Sequence, residues 1–252
     1  MGSLFIVATP IGNLDDLSPR ALKTLETVDL IACEDTRRAL KLLTHFGVRK
    51  PLASYHEFNE REKASEIGRK LEAGENVALI SDAGTPAISD PGFRLVRYCR
   101  EHGIPVISIP GPNAAVAALA ASGIPSDEFL FVGFLPSRRA ARRSRLEALR
   151  TGRTTMVFYE APHRIFETID DMIEILGDRE ACVGREITKA HEEYVYGPLS
   201  KARATARDIG EFVLVVAGAK DEPAPKRPLT REDALKILGI SRNELYDLFF
   251  KK

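Results

Sequence analysis

Little in this chain marks it for export, for a membrane or for a bulk nucleic-acid partner. Its 252 residues hold three cysteines, Cys33, Cys99 and Cys182. They are widely spaced, odd in number and set among apolar or helical neighbours, which suits reduced thiols in a cytosol rather than a disulfide framework. None pairs at zinc-type spacing, so no metal is expected. No run of about eighteen apolar residues offers a membrane span, and Leu4 to Ala8 read as a strand with no basic region or apolar helix ahead of it. Lys plus Arg number 36, as do Asp plus Glu, for a formal net charge of zero. Total charge therefore predicts no nucleic-acid partner, and only local clusters can argue for one. The dinucleotide spacing G-x-G-x-x-G is also missing.

The 44% hydrophobic and 29% charged residues are ordinary for a globular chain long enough to bury a full core. Short apolar runs at Leu4 to Ala8, Leu30 to Cys33, Val77 to Ile80 and Val106 to Ile109 alternate with helical patterns. That alternation predicts an α/β fold around a mostly parallel sheet covered on both faces. Ser18 and Pro19 give the first helix an N-cap and a proline at its first position, and Asp90 with Pro91 repeat the signal. A second set, Phe129 to Val132, Met156 to Tyr159, Ala181 to Val183 and Phe212 to Ala217, predicts a second α/β lobe. We divide the chain into lobes at 1–110 and 111–220, a proline-rich linker at 221–229 and a helix-turn-helix-like tail at 230–252.

The segment Ser81 to Gly92 packs two glycines, two prolines and two aspartates behind a strand, where a plain connection needs two to six residues. It reads as a ligand loop at the carboxyl edge of the sheet. Pro10 and Gly12 shape a second loop on that edge, beside Ser81, Asp82, Ala83 and Gly84. The run Glu34, Asp35, Thr36, Arg37, Arg38 combines a helix cap with groups able to hold phosphate or orient a hydroxyl. His56 sits in a mixed polar run and suits binding somewhat better than catalysis. Glu160, His163 and Arg164 open a helix, where anions are favoured. Lys189 and His191 lie in another polar cluster. Arg138, Arg139, Arg142, Arg143 and Arg145 crowd one helix, with like charges four residues apart. Such crowding predicts a nearby anion, phosphate-rich RNA above all.

Nine runs in order, VATPIGNLDD, ACEDTRR, SYHEFNE, SDAGTPAISDPG, IPGPNA, FLPSRR, FYEAPHR, REITKAHEE and GEFVLVVAG, resemble the ribosomal RNA small subunit methyltransferase I family, from Leu4 to Gly218. The resemblance implies two αβα lobes of the tetrapyrrole methylase type, a homodimer, and S-adenosyl-L-methionine in the cleft between lobes. It further implies 2'-O-methylation of a cytidine ribose in the decoding region of small-subunit rRNA, on the free RNA or the assembled subunit. The donor would be bordered by Pro10, Gly12, Ser81, Asp82, Ala83, Gly84, Gly111 and Pro112. Glu34, Asp35, His56, Glu160 and His163 are the candidate proton acceptors. Arg37, Arg38, Arg138, Arg139, Arg142, Arg143, Arg164 and Lys189 are the candidate RNA contacts. The segment Gly197 to Gly210 departs from the family in being short and Arg-rich, and the tail stops after two helices. A small-molecule methylase and a non-catalytic nucleic-acid binder using the tail are the competing readings.

Overall fold

The computed structural model describes residues 1–205 and 207–220. The linker and helical tail expected at 221–252 lie outside the described residues. Residues Met1–Ala219 form one compact unit.

Its first sheet contains β1 (Leu4–Val7), β2 (Leu30–Cys33), β3 (Leu52–Ser54), β4 (Val77–Ile80) and β5 (Val106–Ile109), in the order β3-β2-β4-β1-β5. Every pairing is parallel. Alternate side chains go to opposite faces. Leu30, Ala32, Val77 and Leu79 pack with α3 (Glu60–Glu72) and α4 (Phe93–Glu101), whereas Ile31, Cys33, Ala78 and Ile80 pack with α1 (Pro19–Thr27) and α2 (Thr36–His45). With both faces covered, β2 and β4 are buried throughout, which explains their unbroken apolar sequence. Ser18 caps α1 by accepting from the Ala21 N–H, with Pro19 in the first turn.

The second sheet runs β6 (Phe129–Phe134), β7 (Thr155–Glu160), β10 (Phe212–Val216), β8 (Glu180–Arg185), β9 (Glu193–Pro198). The parallel arrangement expected of the first set of strands does not extend to this one: only β6 and β7 are parallel, and the other pairings are antiparallel. The hairpin from β8 to β9 removes the crossover that a parallel pair requires. Helices α6 (Arg139–Leu149), α7 (Ile165–Leu176) and α8 (Leu199–Thr205) cover one face, and α5 (Ala114–Ser122) the other. The Arg-rich departure from the family pattern is thus the end of β9 followed by α8.

A second correction concerns Asp90. It does not cap α4; Gly92 holds that position, with no side-chain capping bond. All three cysteines are buried, and burial pushes their thiols up, Cys33 to about 12 and both Cys99 and Cys182 to about 11.

Three of the four arginines of α6 find their anions within the fold, while Arg145 is exposed. Arg142 is 1% exposed and bonds Asp171 of α7 at 2.8 Å, with Glu167 at 3.2 Å. Arg143 bonds Asp171 at 2.9 Å and Glu174 at 2.6 Å, and Arg139 reaches Asp171 at 3.4 Å. Burial would raise the Asp171 carboxyl, but hydrogen bonds from Arg142 and Arg143 outweigh it and hold it below the usual range. Removing one partner of a buried pair leaves the other charge uncompensated. Asp171→Ala should therefore lower unfolding stability by about 3–5 kcal/mol in urea denaturation.

Candidate functional site

The loops leaving the carboxyl ends of β1, β2, β4 and β5 are bonded into one rim. Thr9 and Gly84 exchange two backbone hydrogen bonds, Thr9 N–H to Gly84 at 2.8 Å and Gly84 N–H to Thr9 at 3.0 Å. The Thr9 hydroxyl donates to the Ser81 carbonyl at 3.2 Å, and the Ser81 hydroxyl donates to the carbonyls of Ala83 and Gly84. The Thr85 hydroxyl donates to the Pro112 carbonyl at 3.1 Å, drawing in the loop after β5. The Asp82 carboxylate accepts from the Asp35 N–H at 3.1 Å and pairs with Arg38 at 3.1 Å, drawing in the loop after β2.

Strain accompanies this rim. Ala87 and Ser89 adopt left-handed backbone at φ 67° and 61°, as do Glu186 and Thr188 on the second lobe at 53° and 69°. Each such residue costs about 1–2 kcal/mol, and strain of this kind concentrates at ligand sites. Gly84, at φ 84°, has a further constraint, since a Cβ there would lie 3.3 Å from the Ile11 side chain.

Between the rim and the second sheet lies a cavity of about 470 Å³, a size suited to a small molecule. Glu34, Asp82 and Asp90 make one wall acidic; Phe134, Tyr159, Ile187, Phe212 and Val213 make the other largely apolar. The Tyr159 hydroxyl accepts from the Ala115 N–H at 3.2 Å, and its ring packs 5.6 Å from that of Phe134. Burial raises the Glu34 carboxyl, and the Asp82 charge raises it further. Burial also lifts Asp90, to about 6, against a lowering hydrogen bond from Ser81. A neighbouring cavity of about 470 Å³ is lined by Pro10, Gly12, Ser81, Arg38, Lys41 and Lys189, and shares Asp82 and Ala83 with the first.

The expected site residues therefore divide. Glu34, Asp82, Ala83, Gly84 and Arg38 meet at the first cavity, and Pro10, Gly12, Ser81 and Lys189 at its neighbour. Gly111 borders neither, and a Cβ there would press on the Ala8 side chain at 2.9 Å. Asp35 caps α2 and pairs with Arg37 at 2.8 Å, whose hydrogen bonds hold its carboxyl far below the usual range. His56 lies outside both cavities, with Nε2 3.3 Å from Asn59 and Nδ1 buried without a partner among the described residues. His163 is exposed and away from both.

Glu160 borders the first cavity but is 2% exposed and fully engaged. Its carboxylate accepts from Arg164 at 2.5 and 2.9 Å, from the Ala161 N–H at 2.8 Å and from Thr168 at 2.6 Å. Arg164 is thereby an internal partner, bonded also to the Leu135 carbonyl, and not a free cation for RNA. Arg142 is excluded from RNA on the same ground, and Arg143 is largely engaged. Arg138, at the start of α6, is exposed and borders neither cavity. Lys189 is held by Glu186 and Glu211, each at 2.8 Å. Sequence reasoning missed Asp90 and Phe134. A sharper signal existed for Asp90, because the Gly92 that follows can itself begin a helix and leave the carboxylate free.

The fold and cleft define a methyltransferase of the tetrapyrrole methylase class. The model of the Tetrapyrrole (Corrin/Porphyrin) Methylases matches residues 3–203. The structure is similar to that of the methyltransferase CobJ, with TM-score 0.65 and 19% identity, covering 87% of this chain and 95% of that one. It is also similar to a uroporphyrin-III C-methyltransferase from Thermus thermophilus complexed with S-adenyl homocysteine, with TM-score 0.56 and 18% identity, covering 85% and 97%. Among curated proteins, the ribosomal RNA small subunit methyltransferase I of Pseudomonas aeruginosa is 49% identical over 250 residues, 97% of this chain and 88% of the relative. That of Escherichia coli O157:H7 is 45% identical over 252 residues, 97% and 86%. The chain belongs to the ribosomal RNA small subunit methyltransferase I family, whose methyl donor is S-adenosyl-L-methionine.

Glu160 offers a test of structural against catalytic use. Replacing it with Gln keeps its shape but removes the charge facing Arg164, and hydrogen bonds to charged groups contribute about 1.5–3 kcal/mol each. Glu160→Gln should lose stability of that order in urea denaturation, with methyl transfer by the remaining folded protein close to the parent's.

Proposed function

We propose that this protein transfers a methyl group from S-adenosyl-L-methionine to the 2'-hydroxyl of a cytidine ribose in the decoding region of small-subunit rRNA. We infer that it works in the cytoplasm as a homodimer, on the free RNA or the assembled subunit. The reading rests on the cavity whose one wall is acidic and whose other is aromatic and apolar, in a chain 45–49% identical to the two relatives just described.

The residues present suit this donor. Glu34, Asp82 and Asp90 supply negative charge toward a cationic sulfonium, while Tyr159, Phe134, Ile187 and Val213 supply an apolar surface for a flat base. Gly84 leaves room where a Cβ would crowd Ile11. When bound, the donor supplies an activated methyl group on sulfur. The protein's part is alignment of the ribose oxygen with that methyl and exclusion of water, and alignment of this kind contributes several kcal/mol. The hydroxyl must also release its proton. Asp90 and Glu34 are the carboxylates at the cavity that retain basicity, because burial opposes their ionisation. The Glu34 charge adds to the rise at Asp90, so the acid limb depends on both carboxylates.

Calorimetric titration with S-adenosyl-L-methionine should give one saturable site per chain. Incubation with labelled donor and small-subunit rRNA should label a cytidine ribose; label on no ribose would remove the proposal. Below about 6 the Asp90 carboxyl is protonated and cannot accept a proton, so kcat/KM should fall as pH drops through that value. Asp90→Asn should lower kcat by about 100-fold and erase that acid limb, and an unchanged pH profile would exclude Asp90 as acceptor.

A further inference from the structure

With most of the α6 arginines engaged inside the fold, a different cationic surface stands beside the cleft. Residues 36–50 hold Arg37, Arg38, Lys41, Arg49 and Lys50, together with His45, and contain no Asp or Glu. Arg37 is satisfied by Asp35, and Arg38 by Asp82. Lys41, Arg49 and Lys50 form no ion pair among the described residues, Lys41 and Arg49 being exposed and Lys50 half-buried.

Geometry connects these charges to the cleft. Arg38, Lys41 and His45 follow at intervals of three and four residues, so they share a face of α2 and span about 10 Å along it. All three border the cavity next to the donor cleft, and Arg38 borders both. Beyond the end of α2, Arg49 and Lys50 border a further concavity of about 690 Å³ with Gly47 and Pro51. A cationic track thus wraps the exposed side of α2, from Arg49 and Lys50 past Thr44 to Lys41 and Arg38, where it meets the acidic cavity.

We propose that this track, and not the arginine helix α6, holds the phosphate backbone of the RNA substrate as it enters the cleft. The inference rests on the RNA-methyltransferase reading and identifies the surface that carries it. Charge complementarity selects the occupant: unpaired cations with no carboxylate among them attract a polyanion, and each phosphate neutralised releases counterions. Four carboxylates face this side of α2: Asp35 and Asp82, paired to Arg37 and Arg38, Glu34, whose charge Arg38 offsets in part, and Glu211, which lines the same cavity and is paired to Lys189.

The test is the triple variant Lys41→Gln, Arg49→Gln, Lys50→Gln in the full-length protein. A control, Arg61→Gln, Arg69→Gln, Arg100→Gln, removes equal charge from α3 and α4 on the opposite face of the first sheet. Equilibrium binding to a small-subunit rRNA fragment is measured against salt. The slope of log affinity on log salt should shrink by about two in the track variant, at about 0.7–0.9 for each phosphate that is no longer neutralised. It should stay near the parent's in the control. The KM for RNA should rise at least tenfold, with S-adenosyl-L-methionine affinity unchanged. A slope equal to the parent's, or an equal loss in the control, overturns the proposal. A KM raised only on the assembled subunit, with the slope on free RNA unchanged, also overturns it, since a ribosomal protein would then occupy the face. Binding is read without turnover, so a parent that methylates no RNA would remove the proposed reaction while the slope still decides this one.

Discussion

Two backbone hydrogen bonds between Thr9 and Gly84 hold the chemistry of this protein in place. They join the ends of two neighbouring parallel strands beyond the point where the sheet itself stops. Together with the Thr9 hydroxyl, which donates to the Ser81 carbonyl, they tie the first loop to the long β4 loop. With them, Gly84 is fixed in a left-handed conformation, the Ser81 hydroxyl turns back on its own loop, and Asp82 is placed to reach across to the loop after β2. The cavity wall follows from one small ladder fragment.

Asp82 then divides its two oxygens between a backbone N–H and a guanidinium. This compensates Asp82, while Glu34 and Asp90 remain desolvated and lack a comparable partner. The contrast explains why those two titrate above their ordinary range. An acidic pocket would ordinarily repel RNA, and the cations of α2 beside it offset that field at the approach.

The first lobe is readable because its strands are short, apolar and regularly separated by helix signals such as Ser18 and Pro19. The second is only partly so. Strand β9 is polar and half-exposed, with Tyr194 and Tyr196 stacked on its surface, so it carries no apolar run. The loops of the rim stand out through their glycines and prolines, since backbone constraint leaves a mark in local sequence. The proposed proton acceptor and the proposed RNA face do not, because each depends on whether a charge finds a partner elsewhere in the fold. Arg142 and Asp171 are 29 positions apart, and no spacing rule reveals that they cancel. Asp90 reads as a cap for the same reason: its local neighbours fit that role, and only packing shows otherwise.

The three buried thiols have a practical side. Their burial and raised pKa suppress the thiolate form that alkylating and oxidising agents attack. A cysteine introduced on the exposed surface would therefore be the one that reacts, and the native chain serves as its own silent background. Dyes or spin labels could be attached at chosen sites on each lobe without first stripping the core of sulfur.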